Sequence, residues 1–179
     1  MDYVTTLAKN VNLFKLRTWL SDFLLRYQLH NNSQITITST DGNNNWTESN
    51  GLLSKLSMPE SSYNVLNKAL TGTCVGSIVQ EYDSYYRWRL LRLAPKHTYS
   101  VHVDANYGQI NKRIHIPIIT NPSAVLVFYN NDPARNTTTT IQTHNLKAGN
   151  VYEVNTTGFH TAVNYGNTDR YHLVGVKYE

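Results

Sequence analysis

Short segments in which apolar and polar residues alternate fill the chain from about residue 74 to its end. They are rich in Val, Ile, Tyr and Thr, which favour strands. Turn-forming sequences such as Asn121-Pro122 and Gly166-Asn167 separate them. About eight short strands joined by turns predict a mainly β fold, either a sandwich or a jelly-roll barrel. The predicted strands are residues 86–90, 98–103, 113–119, 124–129, 138–143, 151–154, 159–164 and 171–178.

The first third of the chain has a different pattern. Between Leu13 and Tyr27 apolar residues recur at helical spacing, which predicts an amphipathic helix over residues 3–29 that packs on a sheet. The capping-box sequence Ser57-Met58-Pro59-Glu60 and the helix stop Gly72 predict a second, short helix between them. Residues 39–51 are rich in Asn, Gly and Ser and are expected to form an exposed loop.

Length and composition limit the domain organisation and the partners. The 179 residues are expected to form a single domain, in which a helical region (1–72) packs on a barrel core (73–179). Cys74 is the only cysteine, so a disulfide within the chain is excluded and a reducing compartment, the cytoplasm, is expected. The net charge is +4, but Lys and Arg are spread evenly. No nucleic-acid partner is therefore expected. The chain has no apolar run long enough to cross a membrane, and so no membrane partner is expected.

The sequence His102-Val103-Asp104 is the first candidate for chemistry, with His160 in a later predicted strand and Arg170 at the start of the last one. Residues two apart on a strand point to the same face, so His102 and Asp104 would enter the barrel together. Two nitrogens and one carboxylate can bind one face of an iron(II) ion and leave the opposite face open for reaction. Arg170 offers a bidentate partner for an acidic cosubstrate. By itself a His-x-Asp sequence is common, and the alternative is a surface pair at a strand end.

A second candidate is Arg113-Ile114-His115-Ile116-Pro117. Arg113 and His115 share one strand face, while the isoleucines would pack outward against helices or a second sheet. A buried Arg–His pair needs compensation, which a dianionic ligand would supply. The alternative is that this face is exposed to solvent. Arg170 and His172 also share a face, and there the alternative for Arg170 is a structural salt bridge.

Taken together, these sequences make residues 92–178 resemble the aspartyl/asparaginyl β-hydroxylase family of iron(II)- and 2-oxoglutarate-dependent oxygenases. The resemblance covers about half the chain and keeps the order of the family's motifs. The residues that carry it are Leu93-Ala94-Pro95, His102-Val103-Asp104, Arg113-Ile114-His115-Ile116-Pro117, Leu146-Lys147-Ala148-Gly149, Val151-Tyr152-Glu153, His160-Thr161-Ala162-Val163-Asn164 and Arg170-Tyr171-His172-Leu173-Val174.

The resemblance implies a double-stranded β-helix, a jelly-roll of cupin-like form, with the N-terminal helices packed on one sheet. It implies that His102, Asp104 and His160 are the catalytic iron ligands. Arg170 would hold the distal carboxylate of 2-oxoglutarate, and Arg113 with His115 would place its other end. A carboxylate at Asp104 is typical of the branch with a complete triad and argues against a halogenase. The remaining histidines His30, His97 and His144 are expected to be surface or structural residues.

The expected function is therefore a dioxygenase that uses Fe(II), O2 and 2-oxoglutarate and releases succinate and CO2. Its substrate would be an aspartyl or asparaginyl residue of a protein or peptide, or a free amino acid such as proline. A non-catalytic jelly-roll binding module is one alternative, and it would not need the four site residues to converge. A cupin-type metal-dependent isomerase or hydrolase is another, against which Arg170 and Arg113 argue.

Three further arginines, Arg87, Arg89 and Arg92, precede the Leu93-Ala94-Pro95 sequence. One hypothesis is that one of them anchors a substrate carboxylate at the barrel mouth. The alternative is that they are surface cations flanking Trp88.

Overall fold

Two antiparallel sheets form the body of the protein in a computed structural model that describes residues 2–8, 10–104, 111–130 and 140–178. The two α-helices are α1 (Leu13–Tyr27) and α2 (Cys74–Glu81). The strands are β1 (Val4–Ala8), β2 (Gln34–Thr36), β3 (Thr38–Ser39), β4 (Val65–Leu66), β5 (Tyr86–Leu93), β6 (His97–Thr98), β7 (Asn111–Ile119), β8 (Ala124–Tyr129), β9 (Thr140–His144), β10 (Val151–Asn155), β11 (His160–Asn164) and β12 (Arg170–Tyr178).

The larger sheet has six strands in the order β1-β10-β7-β12-β5-β2, and the smaller has four in the order β6-β11-β8-β9. Side chains from both sheets meet in one apolar cluster, to which Leu93, Phe128, Val154 and Ala162 contribute. Two sheets packed face to face with this strand order form the jelly-roll barrel of a double-stranded β-helix, as the sequence predicted. In the described residues no helix combines the length and the apolar character needed to cross a lipid bilayer.

The outer face of the six-stranded sheet carries the main hydrophobic core. Leu16 and Leu20 of α1 are almost completely buried and share a cluster with Ile114, Ile116 and Leu173 of the sheet. Burial of each such side chain contributes about 1.5–3 kcal/mol. The predicted outward packing of the isoleucines is therefore confirmed, and alternation along β7 turns Arg113 and His115 to the barrel interior.

The long N-terminal helix predicted over residues 3–29 is wrong in its first part. Val4–Ala8 forms strand β1, which pairs antiparallel with β10. The helix begins only after Asn12, whose side chain accepts a hydrogen bond from the Lys15 backbone N–H at 3.0 Å. A strand needs its pairing partner, and here that partner lies far along the chain, so local helical periodicity could not reveal it.

The second predicted helix is also displaced. Residues 57–72 hold two short 3-10 turns and strand β4, and the helix α2 begins after Gly72 with Thr73 as its cap. Glu60 does not act as a helix-capping carboxylate, because its side chain is buried against Arg87. Gly72 has a φ of +75°, so it forms the turn before a helix rather than the end of one.

Two smaller expectations need correction. The loop predicted at residues 39–51 is only partly exposed, since Ser39 and Ser49 are fully buried in hydrogen bonds with Asn67 and Thr36. The strand predicted at residues 98–103 is reduced to β6 and an isolated bridge between His102 and His160. The predicted strand at 138–143 begins outside the described residues and is seen as β9 from Thr140 onward.

Candidate active site

The backbones of His102 and His160 pair with each other in an isolated antiparallel β-bridge. The His102 N–H donates to the His160 carbonyl at 3.0 Å, and the reverse bond is 2.9 Å long. The ring Nδ1 atoms lie 2.7 Å from the Ser100 carbonyl and 2.9 Å from the Gly158 carbonyl. Because a carbonyl only accepts, each Nδ1 carries a proton, and in a neutral ring the lone pair then lies on Nε2. The orientation and the neutral tautomer of both rings therefore suit binding of a metal through Nε2.

Asp104 completes this group. Its Oδ1 lies 3.5 Å from His102 Nε2, and its Oδ2 lies 3.7 Å from His160 Nε2. Burial by itself would raise the pKa of Asp104, but the adjacent Arg113 and then His160 hold it well below the usual range. The carboxylate therefore stays ionised. Burial lowers the pKa of His160 despite the opposing charge of Asp104, so this imidazole is neutral at pH 7.

One donor atom from each of His102, Asp104 and His160 lies within 4.8 Å of the other two. In the described part of the chain no other cluster of His, Cys, Asp and Glu is arranged to hold a metal. Two neutral imidazole nitrogens and one carboxylate are the donors that bind non-haem iron(II) and leave positions open. The donors present thus fit the predicted metal, and the fold brings together the three residues predicted as its ligands.

Arg170 lies on the same inner face of the larger sheet and is buried, with 6% of its surface exposed. Within the described ranges no carboxylate approaches its guanidinium to 4.0 Å, so the structural salt bridge considered as an alternative is absent there. Burial lowers the pKa of Arg170 to about 10, which still leaves it charged at pH 7. A buried cation without an anion costs free energy unless a ligand supplies one.

His172 and His115 lie beside this arginine. Arg170 Nε donates to His172 Nε2 at 3.0 Å, and His172 Nδ1 lies 3.4 Å from His115 Nδ1. Burial, followed by the charge of Arg170, lowers the pKa of both histidines well below 6.5. Arg170 Nη2 also lies 2.8 Å from His172 Nδ1, so both ring nitrogens of His172 face a guanidinium that can only donate. A neutral His172 has one ring lone pair for these two contacts, whereas a protonated His172 would have none.

Arg113, predicted to help place the cosubstrate, is held by two carboxylates. Its Nε donates to Asp104 Oδ2 at 3.0 Å, and its Nη1 lies 3.3 Å from Glu60 Oε1. Arg113 therefore contacts the candidate metal ligand Asp104 directly.

The three arginines of β5 have different surroundings. Arg87 is saturated by protein acceptors: Nη1 pairs with Glu60, Nε donates to the Ser49 carbonyl at 3.0 Å, and Nη2 donates to the Gly51 carbonyl at 2.9 Å. Its role is to clamp the N-terminal segment to the barrel.

Arg92 pairs with Asp169 at 3.0 Å near the surface. Arg89 is 7% exposed, and its Nη1 donates to Gln34 Oε1 at 3.0 Å. Its buried Nε has no partner in the described residues. Burial, then the charges of Arg87 and Arg113, lower the pKa of Arg89 to about 9.

Two residues of the site have no signal of their role in the local sequence. The capping-box pattern predicts a helix cap for Glu60, and nothing near it in sequence indicates a contact with Arg113. Strand alternation predicts only that His172 shares a face with Arg170. The expected peripheral positions of His30 and His97 are confirmed, since both are exposed, and His144 is half-buried on β9.

Comparison with solved structures shows the same fold in several proteins. AviO1 from Streptomyces viridochromogenes Tue57 superposes with a TM-score of 0.59 at 11% identity, over 99% of this chain and 89% of that one. The non-heme α-ketoglutarate-dependent epimerase SnoN from nogalamycin biosynthesis gives 0.54 at 11%, over 99% and 78%. The nickel complex of the non-heme monooxygenase ThoJ gives 0.51 at 12%, over 99% and 73%.

No protein-family profile matches the sequence, and a search of the curated proteins finds no match. None of the three similar structures is described as an aspartyl/asparaginyl β-hydroxylase, so membership of that family stays a prediction. At identities of 11–12% these similarities establish the architecture alone. The chain is a double-stranded β-helix of the form also found in non-haem oxygenases.

Proposed function

We propose that this protein is an Fe(II)- and 2-oxoglutarate-dependent dioxygenase. The observation that carries the proposal is the convergence of His102, Asp104 and His160, together with Arg170, which is buried and pairs with no carboxylate of the described residues. Two of the similar structures support the proposal. SnoN is described as a non-heme α-ketoglutarate-dependent epimerase, and ThoJ is described as a non-heme monooxygenase.

In this proposal His102 and His160 bind the iron through Nε2 and Asp104 binds it through a carboxylate oxygen. Bound iron would supply the dioxygen activation that no amino-acid side chain can perform. Arg170 would bind the distal carboxylate of 2-oxoglutarate with two parallel N–H groups. His115 and Arg113 would orient the other end of the cosubstrate. The net reaction is hydroxylation of a C–H bond, with conversion of 2-oxoglutarate and O2 to succinate and CO2.

A buried arginine that meets no carboxylate in the described part of the chain also separates this proposal from a cupin-type hydrolase or isomerase. Such an enzyme needs the metal triad but has no use for a cation that must be neutralised by an acidic cosubstrate. The cost of burying Arg170 is offset only when a carboxylate arrives. Binding of a dicarboxylate is therefore the property that the site is best built for.

For the substrate we propose a free amino acid, such as proline, or an aspartyl or asparaginyl peptide, which the site would hold by a carboxylate. Arg89 is the arginine of β5 suited to receive it, because Arg87 is saturated and Arg92 is paired with Asp169. The Nε atoms of Arg89 and Arg92 are both buried and unpartnered among the described groups, but Arg92 has the carboxylate of Asp169 as a partner. Its neighbour Gln34 also lines a polar cleft of about 360 Å³ with Asn31, Asn50 and Gly51. Amide groups in that cleft suit the polar backbone of an amino acid or peptide.

The test of function uses the purified protein without oxygen first. Fe(II) and 2-oxoglutarate are added and their joint binding is followed by titration and by the visible absorption of the complex. Air is then admitted, and succinate is measured across a panel of free amino acids and Asp- and Asn-containing peptides. Wild-type protein should bind both and form succinate faster with one member of the panel. Absence of 2-oxoglutarate binding in the iron-loaded protein would reject the proposal.

A further inference from the structure

Glu60 lies in a 3-10 turn of the N-terminal segment and is 5% exposed. Its carboxylate reaches into the barrel wall, where one oxygen, Oε1, contacts Nη1 of both Arg87 and Arg113. A carboxylate shared by two buried guanidinium groups offsets part of the charge of both. Glu60 is thus the point where the N-terminal segment joins the charged interior of the barrel.

Arg113 carries this connection on to the candidate metal centre. Its guanidinium is planar and rigid, so fixing Nη1 against Glu60 also fixes the direction of Nε. That Nε donates to Asp104 Oδ2 at 3.0 Å. One carboxylate oxygen of Asp104 is therefore occupied by Arg113, which favours binding of a metal through the other.

Arg87 in turn holds the side chain of Glu60 in place. Arg87 binds Glu60 with Nη1, and the rest of its guanidinium donates to the carbonyls of Ser49 and Gly51. The order of contacts is Arg87, Glu60, Arg113, Asp104, and each link is a charged hydrogen bond with at least one buried partner. Side chains that orient metal ligands in this way commonly change metal affinity 10- to 100-fold when they are removed.

We propose that Glu60 is a positioning residue for the metal centre, which acts through Arg113 to hold Asp104 as a one-oxygen ligand. A consequence is that the segment before the barrel is part of the functional site rather than a cover for its outer face. The inference rests on the proposed function only in requiring that His102, Asp104 and His160 bind a metal.

The experiment is a double-mutant cycle on metal affinity in the full chain, with Co(II) as the probe. Co(II) binding is titrated by absorption and calorimetry in wild type, Glu60→Gln, Arg113→Gln and the double variant. Glu60→Gln is expected to weaken Co(II) binding about tenfold. Arg113→Gln should weaken it at least as much, and adding Glu60→Gln to Arg113→Gln should cost less than about twofold more, because the two residues act in series.

Glu153→Gln is the matched control. Glu153 pairs with Lys112, the neighbour of Arg113 on β7, but it also accepts from Tyr85, a residue of the outer-face core, and has no contact with Asp104. This variant should keep wild-type Co(II) affinity. Glu60→Asp retains the charge with a shorter side chain, and it provides the same comparison if Glu60→Gln does not fold, which circular dichroism will show.

The outcomes separate the two ideas. If wild-type protein binds no Co(II), the metal site itself is wrong. If wild type binds but the Glu60 variants keep its affinity, or if the Glu60 and Arg113 effects simply multiply, the positioning role is overturned. Failure of both Glu60 variants to fold would assign Glu60 to the fold alone and would also reject the proposal.

Discussion

Arg170 donates from Nε to Nε2 of His172 across 3.0 Å inside the barrel, a contact that requires His172 to be neutral. A protonated imidazole has no lone pair with which to accept a hydrogen bond, and its positive charge would repel that of Arg170. The same contact therefore orients Arg170, and it is lost when His172 is protonated at low pH.

The stability of the metal-free protein should fall as the pH drops below about 6.5. His115 and His172 have folded-state pKa values well below 6.5, because burial and Arg170 oppose their protonation. In the unfolded chain they take up protons as the pH falls through about 6.5. The unfolded state then binds more protons, and the free energy of unfolding declines by about 1.4 kcal/mol per pH unit for each histidine. Above that pH both histidines are neutral in the folded and unfolded states, so they do not make the free energy of unfolding depend on pH.

Urea unfolding of the metal-free protein between about pH 7.5 and pH 5.5 measures this slope. His172→Gln should reduce the pH dependence of the free energy of unfolding by the contribution of about one proton. His30→Gln, at an exposed position, is the control and should retain the wild-type slope. Equal slopes for wild type and His172→Gln would contradict the neutral assignment.

Metal binding should be lost in stages. His102→Ala or His160→Ala removes a nitrogen donor, and each should weaken iron binding by more than about 100-fold, since loss of a ligand costs more than loss of a supporting contact. Asp104→Ala should weaken it less, because two histidines remain. Bound iron is measured after equilibration with Fe(II) under nitrogen, with His97→Ala, an exposed histidine, as control. Unchanged iron stoichiometry in all three variants would remove the assignment of this site.

Arg170→Lys should raise the 2-oxoglutarate concentration needed for half-maximal turnover by about 10- to 100-fold. Lysine keeps the charge but loses the two-pronged hydrogen bonding, a difference worth about 1.5–3 kcal/mol for a charged hydrogen bond. The comparison is Arg26→Lys on the exposed end of α1, which should behave as wild type. Normal 2-oxoglutarate binding in Arg170→Ala would show that another residue holds the cosubstrate.

The arginines of β5 should separate into three behaviours when each is replaced by Ala. Arg89→Ala should lose the turnover that substrate stimulates but keep the slow turnover of 2-oxoglutarate alone. Arg87→Ala should destabilise the protein by about 3–5 kcal/mol, because Glu60 loses its buried partner. Arg92→Ala, near the surface, should change neither. Succinate assays with and without substrate, together with urea unfolding, distinguish the three, and an Arg89→Ala enzyme that still responds to substrate would overturn the role of Arg89.

Strand periodicity determined much of this site. Alternation along Arg113-Ile114-His115-Ile116 divides the outer core from the barrel interior, and that division follows from backbone geometry alone. The same alternation predicts that His102 and Asp104 share a face, but the structure has only an isolated bridge at His102 there, and tertiary contacts hold the two side chains together. The sequence also indicated His160 and Arg170, to which the family resemblance gave roles, and the structure brings His160 to the pair and places Arg170 on the inner face of the larger sheet.

Tertiary structure alone decided the rest. The switch from helix to strand at Val4–Ala8 depends on pairing with β10, and the burial of Glu60 depends on Arg113, 53 residues away. The difference between Arg87 and Arg89 likewise comes from which carbonyls and carboxylates fold against each guanidinium. Periodicity records which face a side chain takes, because that is a property of the local backbone. The partner it meets there is set by packing between distant segments, on which the local sequence carries no information.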